Sequence, residues 1–188
     1  MSFTIETGTG FAFLNEFTID SKKFPEMPLR SVGVRKKLVF SIYGVAYYDD
    51  NAAFDIITRD AIVESNSNKL FILKMYRNLS TDKVLNGLLS SLHDRFKDPE
   101  SSDIFLAALQ KAIEKHFHKF LYKDELLIFI QKDKTNLSQV YFYKKQEENQ
   151  YEEIINFRGC EDFVQALLGC YFDKNTVSPT LVKKIWTV

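Results

Sequence analysis

The chain of 188 residues has few of the groups that staple, punctuate or charge a protein. It holds two cysteines, Cys160 and Cys170. Two thiols cannot build a disulfide framework, and neither stands in a CxxC or Cys/His cluster with zinc spacing. The only histidines are His93, His116 and His118. His116 and His118 are two apart, so on a helix they point in different directions and form no i,i+4 metal pair. Nothing in this set implies a metal or a cofactor. Glycine (7) and proline (4) are scarce, so no linker divides the chain. Neither GxGxxG nor GxxxxGK[ST] occurs, which argues against a nucleotide-binding phosphate loop, and no GxSxG suggests a hydrolase elbow. Lys+Arg and Asp+Glu are 25 each, a net formal charge of zero. A balanced chain lacks the basic excess that captures nucleic acid or anionic lipid broadly, although a small local basic pocket is compatible with it. The longest clean apolar run is Leu126–Ile130, far short of a membrane span. Met1–Gly10 carries neither the basic nor the apolar region of a secretory signal. With the sparing use of cysteine, this leads to the expectation of an intracellular, cytoplasmic protein. Asn78-Leu79-Ser80 and Asn136-Leu137-Ser138 are then read as chance matches to the glycosylation pattern.

What the chain does have is aromatic rings: 17 Phe and 9 Tyr, a high share for a domain of otherwise ordinary balance. Residues 1–188 are read as a single domain, long enough to bury a core without staples. The rings either fill that core or also line a cavity. Phe11–Leu14 and Phe17–Ile19 read as short strands, and Ser21–Pro28 as a loop. Gly33–Tyr48 reads as one long β-like stretch. Asp50 and Asn51 can cap a short helix through about Thr58. Leu70–Tyr76, Leu126–Ile130, Val140–Tyr143 and Tyr151–Phe157 are further strands, the middle two joined as a hairpin across Lys132–Asn136. Val84, Leu85, Leu88, Leu89, Leu92 and Phe96 recur at helical spacing after Ser80 and Asp82. A second amphipathic helix runs from Ile104 to Phe117, a third covers Phe163–Tyr171, and Ser178-Pro179 opens a last one through Trp186. Strands and helices arrive in blocks, which makes the class α+β with a largely antiparallel sheet.

The carboxylates are interspersed with lysines and read as solvated surface. The informative stretch is Val34-Arg35-Lys36-Lys37-Leu38-Val39-Phe40-Ser41-Ile42-Tyr43-Gly44-Val45-Ala46-Tyr47-Tyr48. On a regular strand Arg35, Tyr43 and Tyr47 share one face, and Tyr48 takes the other. Arg35 and Tyr43 are too distant to touch along an extended strand. They converge only if the segment folds back as a hairpin or is bulged near Arg35-Lys36-Lys37. An Arg fork beside a Tyr hydroxyl then makes a carboxylate clamp, because guanidinium holds both oxygens and the phenol adds a third donor.

Ser31-Val32-Gly33-Val34-Arg35-Lys36-Lys37 with the following strand through Tyr48 resembles the first motif of the chalcone isomerase superfamily. Phe163-Val164-Gln165-Ala166-Leu167-Leu168, followed by Val177-Ser178-Pro179-Thr180-Leu181, resembles its second. Leu73–Leu88 is similar to the strand, loop and helix between them. Ser31 and Asp173 stand where the motifs carry glycine. The resemblance implies an open-faced β-sandwich, a long antiparallel sheet covered by a layer of helices with a ligand cleft between. It also implies that Arg35 is the superfamily's motif arginine. Tyr43 and Cys170 then replace isomerase donors, and Tyr171 is the neighbour of Cys170. No Tyr occurs between Tyr76 and Tyr122, so the helix Tyr of true isomerases is missing.

By this resemblance the chain is closest to the non-catalytic fatty-acid-binding members. The expectation is a monomer that binds a fatty acid or similar apolar carboxylate at Arg35 and Tyr43, with Tyr48, Cys170 and Tyr171 at the same site. It has no nucleic-acid partner, no integral membrane segment and no cofactor. Two alternatives stay open: an isomerase or lyase of chalcone isomerase type, and a ligand-free scaffold on the same fold. Phe40, Phe71, Phe105 and Phe163 are expected to face the cleft, where filling it or lining it separates scaffold from binder.

Overall fold

The runs Leu70–Met75 and Leu126–Ile130 are apolar at almost every position, so neither face of a strand built from them can meet water. The structure, a computed structural model, supplies cover on both sides. It describes residues 2–20, 23–37, 40–51, 59–132, 135–147 and 150–185. The strands in chain order are β1 (Phe3–Glu6), β2 (Phe11–Leu14), β3 (Glu16–Phe17), β4 (Met27–Lys37), β5 (Phe40–Asp49), β6 (Lys69–Met75), β7 (Leu79–Ser80), β8 (Lys119–Phe120), β9 (Glu125–Lys132), β10 (Ser138–Lys145) and β11 (Tyr151–Arg158). The helices are α1 (Arg59–Glu64), α2 (Thr81–His93), α3 (Pro99–His116), α4 (Glu161–Phe172) and α5 (Pro179–Ile185). Seven strands form one antiparallel sheet in the order β11-β10-β9-β6-β5-β4-β3.

Parity divides the sheet's two faces. Val45, Tyr47, Phe71, Leu73, Leu126 and Ile128 belong to the core shared with the helices. Ala46, Tyr48, Leu70, Ile72, Leu127 and Phe129 belong to a second core under the β1–β2 hairpin and the segment that follows it. The expected α+β architecture, a long antiparallel sheet under a helical layer, is the one observed. The hairpin on the second face is additional, because β1 is not read from the sequence. It docks closely: a Cβ on Gly44 would stand 3.1 Å from the Phe11 ring.

Two expectations need correction, and two are carried further. The Gly33–Tyr48 stretch is not one strand but the hairpin β4–β5, with Arg35 opposite Tyr43 and the register shifting between Arg35 and Lys36. Ser178 does more than begin α5. Its hydroxyl donates to the Val34 carbonyl (3.1 Å), the Val34 N–H donates to Thr180 Oγ1 (2.9 Å), and Ser31 Oγ donates to the Leu181 carbonyl (2.8 Å). These bonds latch α5 onto β4, satisfying backbone groups that the short β3 leaves unpaired. Phe40 lies exposed beside the hairpin tip instead of facing a cleft, because it pairs with the last residue of β4, Lys37. The other rings fill the core. Phe71 stacks on Tyr171 at 4.4 Å and Phe105 on Phe163 at 5.5 Å, so the middle of the sheet–helix layer is packed with aromatics and not open. The helix expected from Asn51 to Thr58, and Trp186 at the end of the last helix, fall outside the described residues.

Both glycine replacements are accommodated. Ser31 is used in the α5 latch, and Asp173 ends α4 at φ −73°, where glycine is not required. Its carboxylate pairs with Arg95 at 3.2 Å.

Candidate functional site

Pairing of β4 with β5 puts Arg35 directly across from Tyr43 on the helix side of the sheet. From there the guanidinium reaches α2. Its Nη2 donates to the Gly87 carbonyl (3.1 Å) and to Ser91 Oγ (3.3 Å). The guanidinium packs against Gly87, where a Cβ would stand in ordinary contact with Nη2 at 3.4 Å. Ser91 Oγ donates in turn to the Gly87 carbonyl at 2.7 Å, which orients its lone pairs toward Arg35. Nη1 makes only a long contact with the Tyr43 hydroxyl, 3.5 Å, and the guanidinium carbon stands 5.9 Å from that ring's centroid. The Tyr43 hydroxyl is 3.4 Å from that of Tyr171.

No carboxylate pairs with Arg35 among the described residues. Burial disfavours its charge, but the adjoining Tyr43 and Tyr171 hydroxyls and the Cys170 thiol outweigh it and hold the guanidinium above its ordinary pKa. A half-buried, permanently charged fork thus has donor capacity to spare.

A cavity of about 500 Å³ opens beside it. That size lies within the ~300–1,000 Å³ range of small-molecule sites. Ile42, Leu73, Leu79, Val84, Leu88 and Leu126 supply its apolar wall. Arg35, Lys36, Lys37 and Lys83 supply its charge, and no acid lines it among the described residues. Among the described residues no Phe contributes, Tyr43 is the one ring in the lining, and aliphatic side chains form most of the wall.

A larger cavity of about 850 Å³ lies on the opposite face, beneath the N-terminal segment. Among the described residues, Glu16, Asp20, Glu26 and Glu153 line it with one lysine, Lys23. That charge repels an anion, so the smaller cavity is the better carboxylate site despite its size.

The structure brings Arg35 and Tyr43 together and leaves Tyr48 elsewhere. Tyr48 belongs to the second core, where its hydroxyl donates to the Leu14 carbonyl at 2.9 Å, and burial raises its pKa far above the usual phenol range. Tyr47 shares the helix face with Tyr43, but its hydroxyl is committed to Asp49. Tyr171 is fully buried and meets the site only through Tyr43, its phenol held protonated by burial. Cys170 lies one layer behind Arg35. Its Sγ donates to the Ser91 carbonyl (3.2 Å), and burial pushes its pKa up to about 12, so it is a packed thiol and not a nucleophile.

Lys83, Gly87 and Ser91 were not anticipated from the sequence. They sit four apart on α2, a stripe of small and polar residues beside its apolar face, and that spacing is the signal that marks them.

No protein-family model and no curated protein matches this sequence. In three dimensions the chain is similar to a fatty-acid binding protein of Arabidopsis thaliana. The TM-score is 0.74 at 17% sequence identity, over 98% of this chain and 95% of that one. The fold is chalcone isomerase-like. At so low an identity the likeness establishes the backbone arrangement, and the site must be argued from its own residues. Among the described residues no helix is long and apolar enough to cross a membrane.

Proposed function

We propose that this protein binds a fatty acid or a similar apolar carboxylate in the Arg35 cavity. One observation carries the reading: a half-buried guanidinium without a carboxylate partner, facing a cavity with an aliphatic wall. The carboxylate would accept from the free edge of the Arg35 fork and from the Tyr43 hydroxyl. The chain would lie against Ile42, Leu73, Val84 and Leu126. The fatty-acid binding neighbour on the same fold supports the ligand class, and the absence of acids from the lining among the described residues supports the sign of the charge.

The forces divide naturally. Each methylene taken from water contributes about 0.8 kcal/mol, roughly fourfold in affinity, so the tail supplies strength. Arg35 supplies orientation and rejects neutral lipids, whose head would leave the cation unpaired. The test is titration of delipidated protein with laurate and palmitate by calorimetry. Arg35→Ala, checked for folding by circular dichroism, is expected to weaken binding by about 10–150-fold, the worth of hydrogen bonds to a charged group. Tyr43→Phe is expected to cost about 2–10-fold. Undiminished affinity in a folded Arg35→Ala protein would remove the clamp.

A further inference from the structure

We propose that the cavity end of the molecule docks on an anionic lipid bilayer. In the antiparallel sheet β4 and β6 end where β5 and β9 begin. Four segments therefore meet at one rim: the paired ends of β4 and β5 at Lys37 and Phe40, the residues after β6, the turn before β9 and the start of α2. The same elements line the Arg35 cavity.

This rim combines two properties. Large apolar and aromatic side chains project into solvent there: Phe40 is 54% exposed, Tyr122 51%, Leu121 42% and Tyr76 37%. Cations surround them. Lys36, Lys37 and Lys83 are exposed and have no acidic partner among the described residues. The Arg77 guanidinium lies 5.0 Å over the Phe40 ring and the Lys123 ammonium 5.4 Å over the Tyr122 ring. The acids at this end do not neutralise the lysines. Asp124 accepts from the Leu121 N–H, Glu125 pairs with Lys74 and Lys145, and Asp82 occupies the first turn of α2, where the helix dipole favours it.

Rings and leucine ringed by unpaired cations fit a surface that is apolar below and negative above, which is the headgroup region of an anionic membrane. A protein partner offering only acids would leave the rings in water. With zero net charge over the chain, the attraction is confined to this end and orients the molecule. The cavity mouth then faces the bilayer, the source from which a single-chain amphiphile can enter without crossing water. Only this last consequence rests on the lipid-binding reading, and the docking stands on the rim itself.

The test is flotation of the full chain with vesicles free of fatty acid. One set is pure phosphatidylcholine and the other equal parts phosphatidylcholine and phosphatidylglycerol. Binding is expected to the anionic vesicles alone and to fall as salt is raised. Lys36→Ala and Lys37→Ala are each expected to weaken it about fivefold. Phe40→Ser is expected to weaken it while leaving laurate affinity in vesicle-free solution unchanged. Arg35→Ala, in contrast, is expected to lose laurate and still float. Equal recovery on both vesicle types, no recovery at low salt, or recovery indifferent to Phe40 and the two lysines would overturn the docking. None of these results would affect the fatty-acid titration.

Discussion

Arg35 and Asp49 sit on neighbouring strands and are treated oppositely by the fold. Asp49 is fully buried, and its charge is answered from within: the Tyr47 hydroxyl donates to Oδ2, the Asn51 N–H donates to Oδ1 at 2.8 Å, and Lys69 is its register partner on β6. A buried charge so fully engaged is structural. Among the described residues Arg35 has only neutral acceptors, and on the proposed reading that difference separates a site from a scaffold contact. Tyr47→Phe would leave one Asp49 oxygen buried without its donor. It is expected to cost about 1–3 kcal/mol, read by urea unfolding, with laurate affinity intact. A variant as stable as the parent would show that water replaces the phenol. Residue types suggest Arg35 and Tyr43 as a clamp only on the condition that the segment folds back, a condition the β4–β5 register meets. Gly87 and Ser91 were not legible, because they come from 52 and 56 residues away and meet Arg35 only once α2 has docked.

Between residue and molecule lies the element, where periodicity was the dependable guide. The apolar positions of α2 recur at helical spacing and most of them are buried, so that helix could be read from pattern, whereas α4 is buried on nearly every side from Phe163 to Phe172 and its spacing marks only part of that surface. The β4–β5 reversal could not. It falls between Lys37 and Phe40, and the intervening Leu38-Val39 carries none of the Gly, Asn or Asp that mark tight hairpins. The α5 latch was equally hidden, since it joins residues about 150 apart in sequence, such as Ser31 and Leu181. Its tightest point gives a test. A Cβ on Gly33 would sit 2.4 Å from the Leu181 backbone nitrogen, which belongs to a helix start and not to a pliable side-chain end. Gly33→Ala must therefore push α5 off β4. We expect a loss of about 3 kcal/mol and a Tm lower by roughly 6–12 °C in thermal unfolding. An unchanged Tm would mean that α5 contributes little to the fold.

At the scale of the whole molecule, the many buried aromatics and the two thiols shape its response to pH. Burial holds Tyr47, Tyr48, Tyr143, Tyr151 and Tyr171 above the ordinary phenol pKa and pushes Cys160 and Cys170 up to about 12. Lys69, with Nζ enclosed by the Ser65 and Ser67 hydroxyls and carbonyls, is lowered by desolvation to about 8. The unfolded chain loses its thiol protons near pH 8.5 and its phenol protons near 10, so each raised group costs about 1.4 kcal/mol of stability per pH unit above those values. Lys69 acts in the other direction. Between about pH 8 and 10.4 the unfolded chain holds a proton that the folded one has released, which adds about 1.4 kcal/mol per unit. From pH 8.5 to 10 the two thiols outweigh the one lysine, and stability is expected to decline gently. Above pH 10.4 the lysine no longer compensates and the phenols join, giving a fall of roughly 10 kcal/mol per unit, comparable to the ~5–15 kcal/mol that stabilises a domain. Cooperative unfolding is therefore expected before pH 12. Replacing both thiols, Cys160→Ala with Cys170→Ala, isolates Lys69 and should turn the slope between pH 8.5 and 10 from falling to rising. Urea unfolding at a series of pH values measures both slopes, and a double variant whose stability still falls over that interval would mean that the thiols are not what sets it.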